Sequence, residues 1–166
     1  MRTNVAAISQ LELPTHLTAK QCLAAIHGLH ADPLQWAVFD EFYPGTGTSS
    51  GSSTRIDAFA VNCWPSGGYK SVAYEIKVSR QDFLNELKQP GKRRFGLLIS
   101  NEFYFVAPVG LLNESEMPVE CGLREVMPDL TIKHTKYAPV RERLPASWAL
   151  LAAVARRVGK LEGKAQ

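Results

Sequence analysis

Asp57 and the tripeptide Glu75-Ile76-Lys77 are the residues of this chain with the clearest capacity for chemistry. Each falls in a run with the composition of a β-strand, residues 54–61 and 71–78. Side chains two apart on a strand share a face, so Glu75 and Lys77 are expected to project together. If the two runs pair as a hairpin, Asp57 comes close to Glu75. Two carboxylates beside one ammonium suit metal-assisted phosphodiester hydrolysis. The carboxylates are hard oxygen ligands for Mg²⁺ or Mn²⁺, and the ammonium is a cation for the attacked phosphate. The same spacing also suits an ion-pair ladder on a half-exposed sheet.

The elements that must position these residues follow from the pattern of apolar and turn residues. Thr18 is placed to cap a helix running from Ala19 to His30. Residues 35–43 are rich in aromatic and β-branched types and read as a strand stopped by Pro44. Residues 45–53 are a Gly/Ser/Thr tract and read as a flexible connection to the Asp57 strand. Pro65-Ser-Gly-Gly68 is a turn signal before the Glu75 strand. Ser79 is a good N-cap for a helix over residues 80–88, with Asp82 in its first turn; a phosphate contact by Ser79 is a minor option. Pro90-Gly91 interrupts that helix and residues 92–100 resume it. Residues 102–107 form a buried strand, residues 122–126 and 130–133 two short ones, and residues 146–158 a last amphipathic helix with Leu150, Leu151 and Val154 facing the core. This order predicts an α/β fold with a mixed sheet and helices against it.

Length and composition bound the function classes. The 166 residues suit one domain, residues 1–166, and the net charge of +3 permits nucleic-acid binding without requiring it. Lys88, Lys92, Arg93 and Arg94 are the densest basic cluster, expected to hold a phosphate backbone or simply to form a solvated helix face. Cys22, Cys63 and Cys121 are far apart and form no CxxC, which argues against a zinc knuckle and for a reducing cytoplasm. No run reaches the about 18 apolar residues of a membrane span, so no membrane partner is expected. His27 and His30 lie at i and i+3 without a third ligand and are read as a packed or surface pair. Tyr74 and Tyr104 are read as core or rim aromatics.

Asp57 on a second strand and Glu75-x-Lys77 on a third resemble the PD-(D/E)XK nuclease superfamily. Residues 74–83 and 101–108 look more narrowly like its MmcB-type DNA-repair branch. The resemblance covers about residues 18–127. It implies a restriction-endonuclease-like αβββαβ core and a deoxyribonuclease dependent on Mg²⁺ or Mn²⁺, with DNA as partner; a homodimer stays open. It further implies that Asp57, Glu75 and the Ile76 carbonyl hold the metal and that Lys77 orients the attacking water. Ile56 stands where the family commonly has Pro. The first helix lacks the carboxylate many members carry, and Glu41 is the candidate replacement. A Gln-xxx-Tyr after the third strand is absent, which argues against a processive exonuclease. The rival reading is a nuclease-fold DNA-binding or accessory protein with little catalysis.

Overall fold

A computed structural model describes residues 17–43 and 55–162. The Gly/Ser/Thr tract of residues 45–53 lies outside them.

The chain begins with α1 (Ala19–Leu29), closed at its start by a capping box: the Thr18 hydroxyl accepts from the Gln21 N–H, and the Gln21 side chain accepts from the Thr18 N–H. Then come β1 (Trp36–Phe42), β2 (Ile56–Asn62), β3 (Ser71–Ile76), α2 (Arg80–Leu87), α3 (Arg94–Ile99), β4 (Glu102–Pro108), β5 (Gly122–Val126), β6 (Ile132–Lys136) and α4 (Trp148–Glu162). A 3₁₀ turn, Pro65–Gly67, joins β2 to β3, and another, Pro90–Arg93, joins α2 to α3.

The strands form one six-stranded mixed sheet in chain order. β1, β2 and β3 are antiparallel, β3, β4 and β5 are parallel, and β6 returns antiparallel. The parallel β3–β4 and β4–β5 steps both need a crossover; α2 and α3 supply the helical one, between β3 and β4.

Helices cover both faces. Phe59, Ala73, Phe103 and Phe105 pack with Phe83 of α2, Ile99 of α3 and Ala153 of α4. Their alternating neighbours Ala58, Ala60, Val72, Tyr74, Tyr104 and Val106 pack with Cys22, Ala25 and Ile26 of α1. Two buried faces explain why β4 reads as a continuous apolar run rather than an alternating one. Phe83 meets Phe105 edge-on at 5.3 Å and pins α2 over the β3–β4 step. Burying such a side chain contributes about 1.5–3 kcal/mol.

Several expected boundaries move. The strand expected at residues 130–133 lies at Ile132–Lys136, because Leu130 takes φ +66° in a turn closed by Leu130 N–H to Met127 O and Met127 N–H to Thr131 O. The last helix starts at Trp148 and runs to Glu162. Leu150 and Val154 pack on the core as expected, but Leu151 is exposed and Ala153 takes the buried position. His27 and His30 take separate partners, Asp40 and Tyr74. Tyr74 and Tyr104 are core residues, with the Arg124 guanidinium 4.0 Å from the Tyr104 ring centroid.

Candidate active site

Asp57 and Glu75 are brought together by register. Ala58 pairs with Tyr74 across β2 and β3, and the next step toward the open end sets Asp57 opposite Glu75. There the ladder is continued by a side chain: Asp57 Oδ2 accepts the Ile76 N–H at 2.8 Å. Lys77 lies one residue past the end of β3, yet its N–H still donates to Val106 O at 2.8 Å. That bond keeps the backbone extended beside β4, so Lys77 stays on the Glu75 side. Its Nζ donates to Glu75 Oε1 at 2.7 Å.

These residues line a cleft of about 490 Å³ together with Tyr43, Arg55, Glu86 and Lys92. An adjoining cleft of about 410 Å³ shares Lys77, Glu86 and Lys92 and adds Asp82, Asn85 and Gln89. The polar groups sit deep: the side chains of Glu75 and Lys77 are 19% and 12% exposed. Burial is the main force that pushes the Glu75 carboxyl up to about 7, with the charges of Asp57 and Glu86 adding to it and Lys77 pulling the other way. For Lys77, burial favours the neutral amine, but Glu75, Glu86 and Asp57 outweigh it and hold its pKa above the ordinary value.

Glu86 is the site residue that the sequence reading passed over. It lies on α2, is 5% exposed, and its Oε2 is 3.6 Å from Lys77 Nζ. A signal for it existed: Glu86 is three residues after Phe83, so it shares the helix face that packs on the sheet. An acid on the apolar face of the helix after the Lys77 strand marks an inward-facing charge.

Other expected residues take different places. Glu41, expected as the replacement carboxylate, has φ +47° and a side chain 63% exposed that pairs with Arg55 at 3.3 Å. It is not among the residues lining the cleft, and Glu86 is the third carboxylate there. Ile76 meets the site through its N–H. In a strand the N–H and C=O of one residue face the same neighbour, which turns its carbonyl toward β2 as well. Ser79, by contrast, serves as the N-cap of α2 as expected, its Oγ accepting from the Asp82 N–H.

Arg93 departs most from expectation. It is 4% exposed, donates to the Glu86 carbonyl at 3.2 Å, pairs with Glu120 at 3.4 Å, and lies 5.9 Å from the Phe105 ring centroid. It is a buried structural cation and offers nothing to a phosphate backbone. Lys88, Lys92 and Arg94 are exposed. Lys92 lines both clefts, whereas Arg94 lines a separate groove with Leu97 and Leu98.

Among the described residues, no three His, Cys, Asp or Glu side chains are grouped as a self-sufficient metal site would require. Asp57 and Glu75 still offer a suitable donor set for Mg²⁺ or Mn²⁺. Asp57 Oδ1 and Glu75 Oε2 accept no hydrogen bond among the described residues. Mg²⁺ keeps several waters and is commonly held by one or two carboxylates plus substrate phosphates, so two open oxygens are sufficient.

No family model matches the chain, and no curated protein matches it. A solved structure, the SPO1766 protein of unknown function from Silicibacter pomeroyi, is similar with a TM-score of 0.59. The two are 19% identical, and the match covers 95% of this chain and 91% of that one. The likeness carries the fold alone.

Proposed function

We propose that this chain is a Mg²⁺- or Mn²⁺-dependent deoxyribonuclease of the PD-(D/E)XK type, hydrolysing DNA phosphodiester bonds in repair, recombination or the processing of mobile-element or phage DNA. The observation that carries the reading is one polar cleft lined by Asp57 and Glu75, on adjacent strands of a mixed sheet, and by Lys77 just past the end of the second. A restriction-endonuclease-like core is consistent with three antiparallel strands followed by a helical crossover to a parallel strand.

Asp57 and Glu75 would hold the cation, which supplies Lewis acidity toward the phosphate and a template for water and leaving group. The chain's own residues do the rest. Asp57 is fixed by the Ile76 N–H, so its second oxygen is aimed without loss of side-chain freedom. Lys77 carries three donors and uses one on Glu75, leaving two for a water or a phosphoryl oxygen. Held in a part-buried cleft, that ammonium stabilises charge developing on the phosphate more strongly than it would in bulk water. Lys92 at the rim adds a phosphate contact.

The observation favouring the rival reading, a catalytically weak DNA-binding protein, is the close Lys77–Glu75 pair itself, which occupies one oxygen of a ligand. Calorimetric titration of Mg²⁺ and Mn²⁺ into wild type and Asp57→Ala separates the two. The nuclease reading expects binding to the wild type and its loss in the variant. Wild type that binds neither ion favours the rival.

A further inference from the structure

We propose that Glu86 is a positioning residue: it offers the Lys77 ammonium a second seat, to which Lys77 moves from Glu75 when a divalent cation is held by Asp57 and Glu75. The inference rests on the nuclease reading above and extends it to a residue that the reading does not use.

The argument starts from a buried carboxylate with unused capacity. Glu86 is 5% exposed, and a buried charge is expensive unless paired and hydrogen-bonded. Its carboxylate has two cationic neighbours, Lys77 Nζ at 3.6 Å from Oε2 and Arg93 Nη1 at 3.9 Å from Oε1. Both distances are ion-pair distances, too long for hydrogen bonds. Among the described residues the Glu86 carboxylate accepts no hydrogen bond; Arg93 donates instead to the Glu86 carbonyl and to Glu120. The carboxylate is thus held beside two cations with its acceptors open.

Lys77 stands between the two acids. It is 2.7 Å from Glu75 Oε1, and a shift of about 0.8 Å toward Glu86 would bring its Nζ within hydrogen-bond range there. A divalent cation on Glu75 supplies the reason to move, because an ammonium bonded to the same carboxylate repels it at close range in a part-buried site. Glu86 lets Lys77 yield that carboxylate without leaving the cleft, since Lys77 and Glu86 line both adjoining clefts. Arg93, anchored by Glu120, supports the seat from behind. Lys77 would then stand free of the ligand and face the phosphate with its remaining donors.

The test is a double-mutant cycle in Mg²⁺ affinity, read by calorimetry on wild type, Glu86→Gln, Lys77→Met and the double variant without DNA. Glu86→Gln keeps the shape of the side chain and removes the charge that makes the seat. The expected result is Mg²⁺ binding weakened about tenfold by Glu86→Gln when Lys77 is present, and less than about twofold in the Lys77→Met background. An equal loss in both backgrounds would show Glu86 acting as a distant charge and would overturn the proposal, as would no loss in either. Mg²⁺ binding that depends on Asp57 but ignores Glu86 overturns this inference alone. Wild type that binds no Mg²⁺ overturns the nuclease reading, and this inference with it. Should Glu86→Gln fail to fold, carboxyl carbon resonances give a second measure on intact protein. Mg²⁺ is expected to shift the Glu86 side-chain signal in the wild type and leave it in place in Lys77→Met. An unmoved Glu86 signal in Mg²⁺-saturated wild type overturns the proposal.

Discussion

At the scale of single residues, Glu75 sets the pH behaviour of the cleft. Its carboxyl keeps its proton to about 7, against an ordinary 4.5, chiefly because of burial. Between those two values the folded chain binds more protons at this position than the unfolded chain does. Stability contributed by this group is therefore full at low pH, falls as pH rises through the window from 4.5 to about 7, and stays lost above it. Glu75→Gln removes that dependence. The variant is expected to gain on wild type across the window and to be about 1–3 kcal/mol more stable than wild type at pH 8 relative to pH 4.5, measured by urea unfolding. A difference between the two proteins that does not change with pH would show that Glu75 ionises as an ordinary surface acid. The convergence of Asp57, Glu75 and Lys77 on one cleft was legible in the sequence because strand parity puts alternate residues on one face and a short turn sets two strands side by side. Glu41 and Arg93 were misread for a common reason. Composition tells that a residue is charged, whereas its environment is decided by backbone conformation and tertiary packing: a left-handed φ turns Glu41 outward, and two acids draw Arg93 inward.

At the scale of elements, the site depends on how firmly α2 and the parallel strands are held. The Ser79 hydroxyl caps α2, and Phe83 locks it to Phe105. Capping residues and apolar spacing are local signals, which is why α1, α2 and the three strands around the site could be read within a residue or two. The start of β6 was harder, because it depends on a turn around Leu130 with a backbone conformation that few side chains favour. Gly122 at the start of β5 is a tight point in the same region. A Cβ there would lie 2.6 Å from the Ala138 nitrogen and from the Lys136 carbonyl oxygen, and would strike the Tyr104 ring. Backbone atoms cannot swing aside as a flexible side chain does. Gly122→Ala is expected to cost about 2–3 kcal/mol, seen as a lower midpoint in denaturant with an unchanged slope. An unaltered midpoint would mean that β5 and β6 separate freely.

At the scale of the molecule, a chain with a net charge of +3 must concentrate its cations to hold DNA. The exposed members of the basic cluster are Lys88, Lys92 and Arg94, with Arg93 inside the protein. Replacing the exposed three by Ala is expected to weaken binding to all DNA sequences alike. The salt dependence should flatten by about one unit of slope for each phosphate no longer neutralised. Arg93→Ala should instead lower stability by about 3–5 kcal/mol, because it strips a buried carboxylate of a partner. Equal salt slopes for wild type and the triple variant would return the cluster to a solvated helix face. The mixed sheet with helices against it was legible from the order of strands and helices alone. Its chemistry is less so, because the similar structure from Silicibacter pomeroyi carries no stated function and the fold by itself assigns none.

The most direct test of the central claim is cleavage by wild type, Asp57→Ala and Lys77→Ala of a panel of nicked, flapped, branched and single-stranded DNAs in Mg²⁺ and in Mn²⁺. The account predicts that wild type cuts at least one of them. Asp57→Ala is predicted to lose activity together with cation binding. Lys77→Ala is predicted to keep both cation and DNA binding while its rate falls by about 10²–10³. Wild type that cuts nothing on the panel, or Lys77→Ala that cuts as fast as wild type, would contradict it.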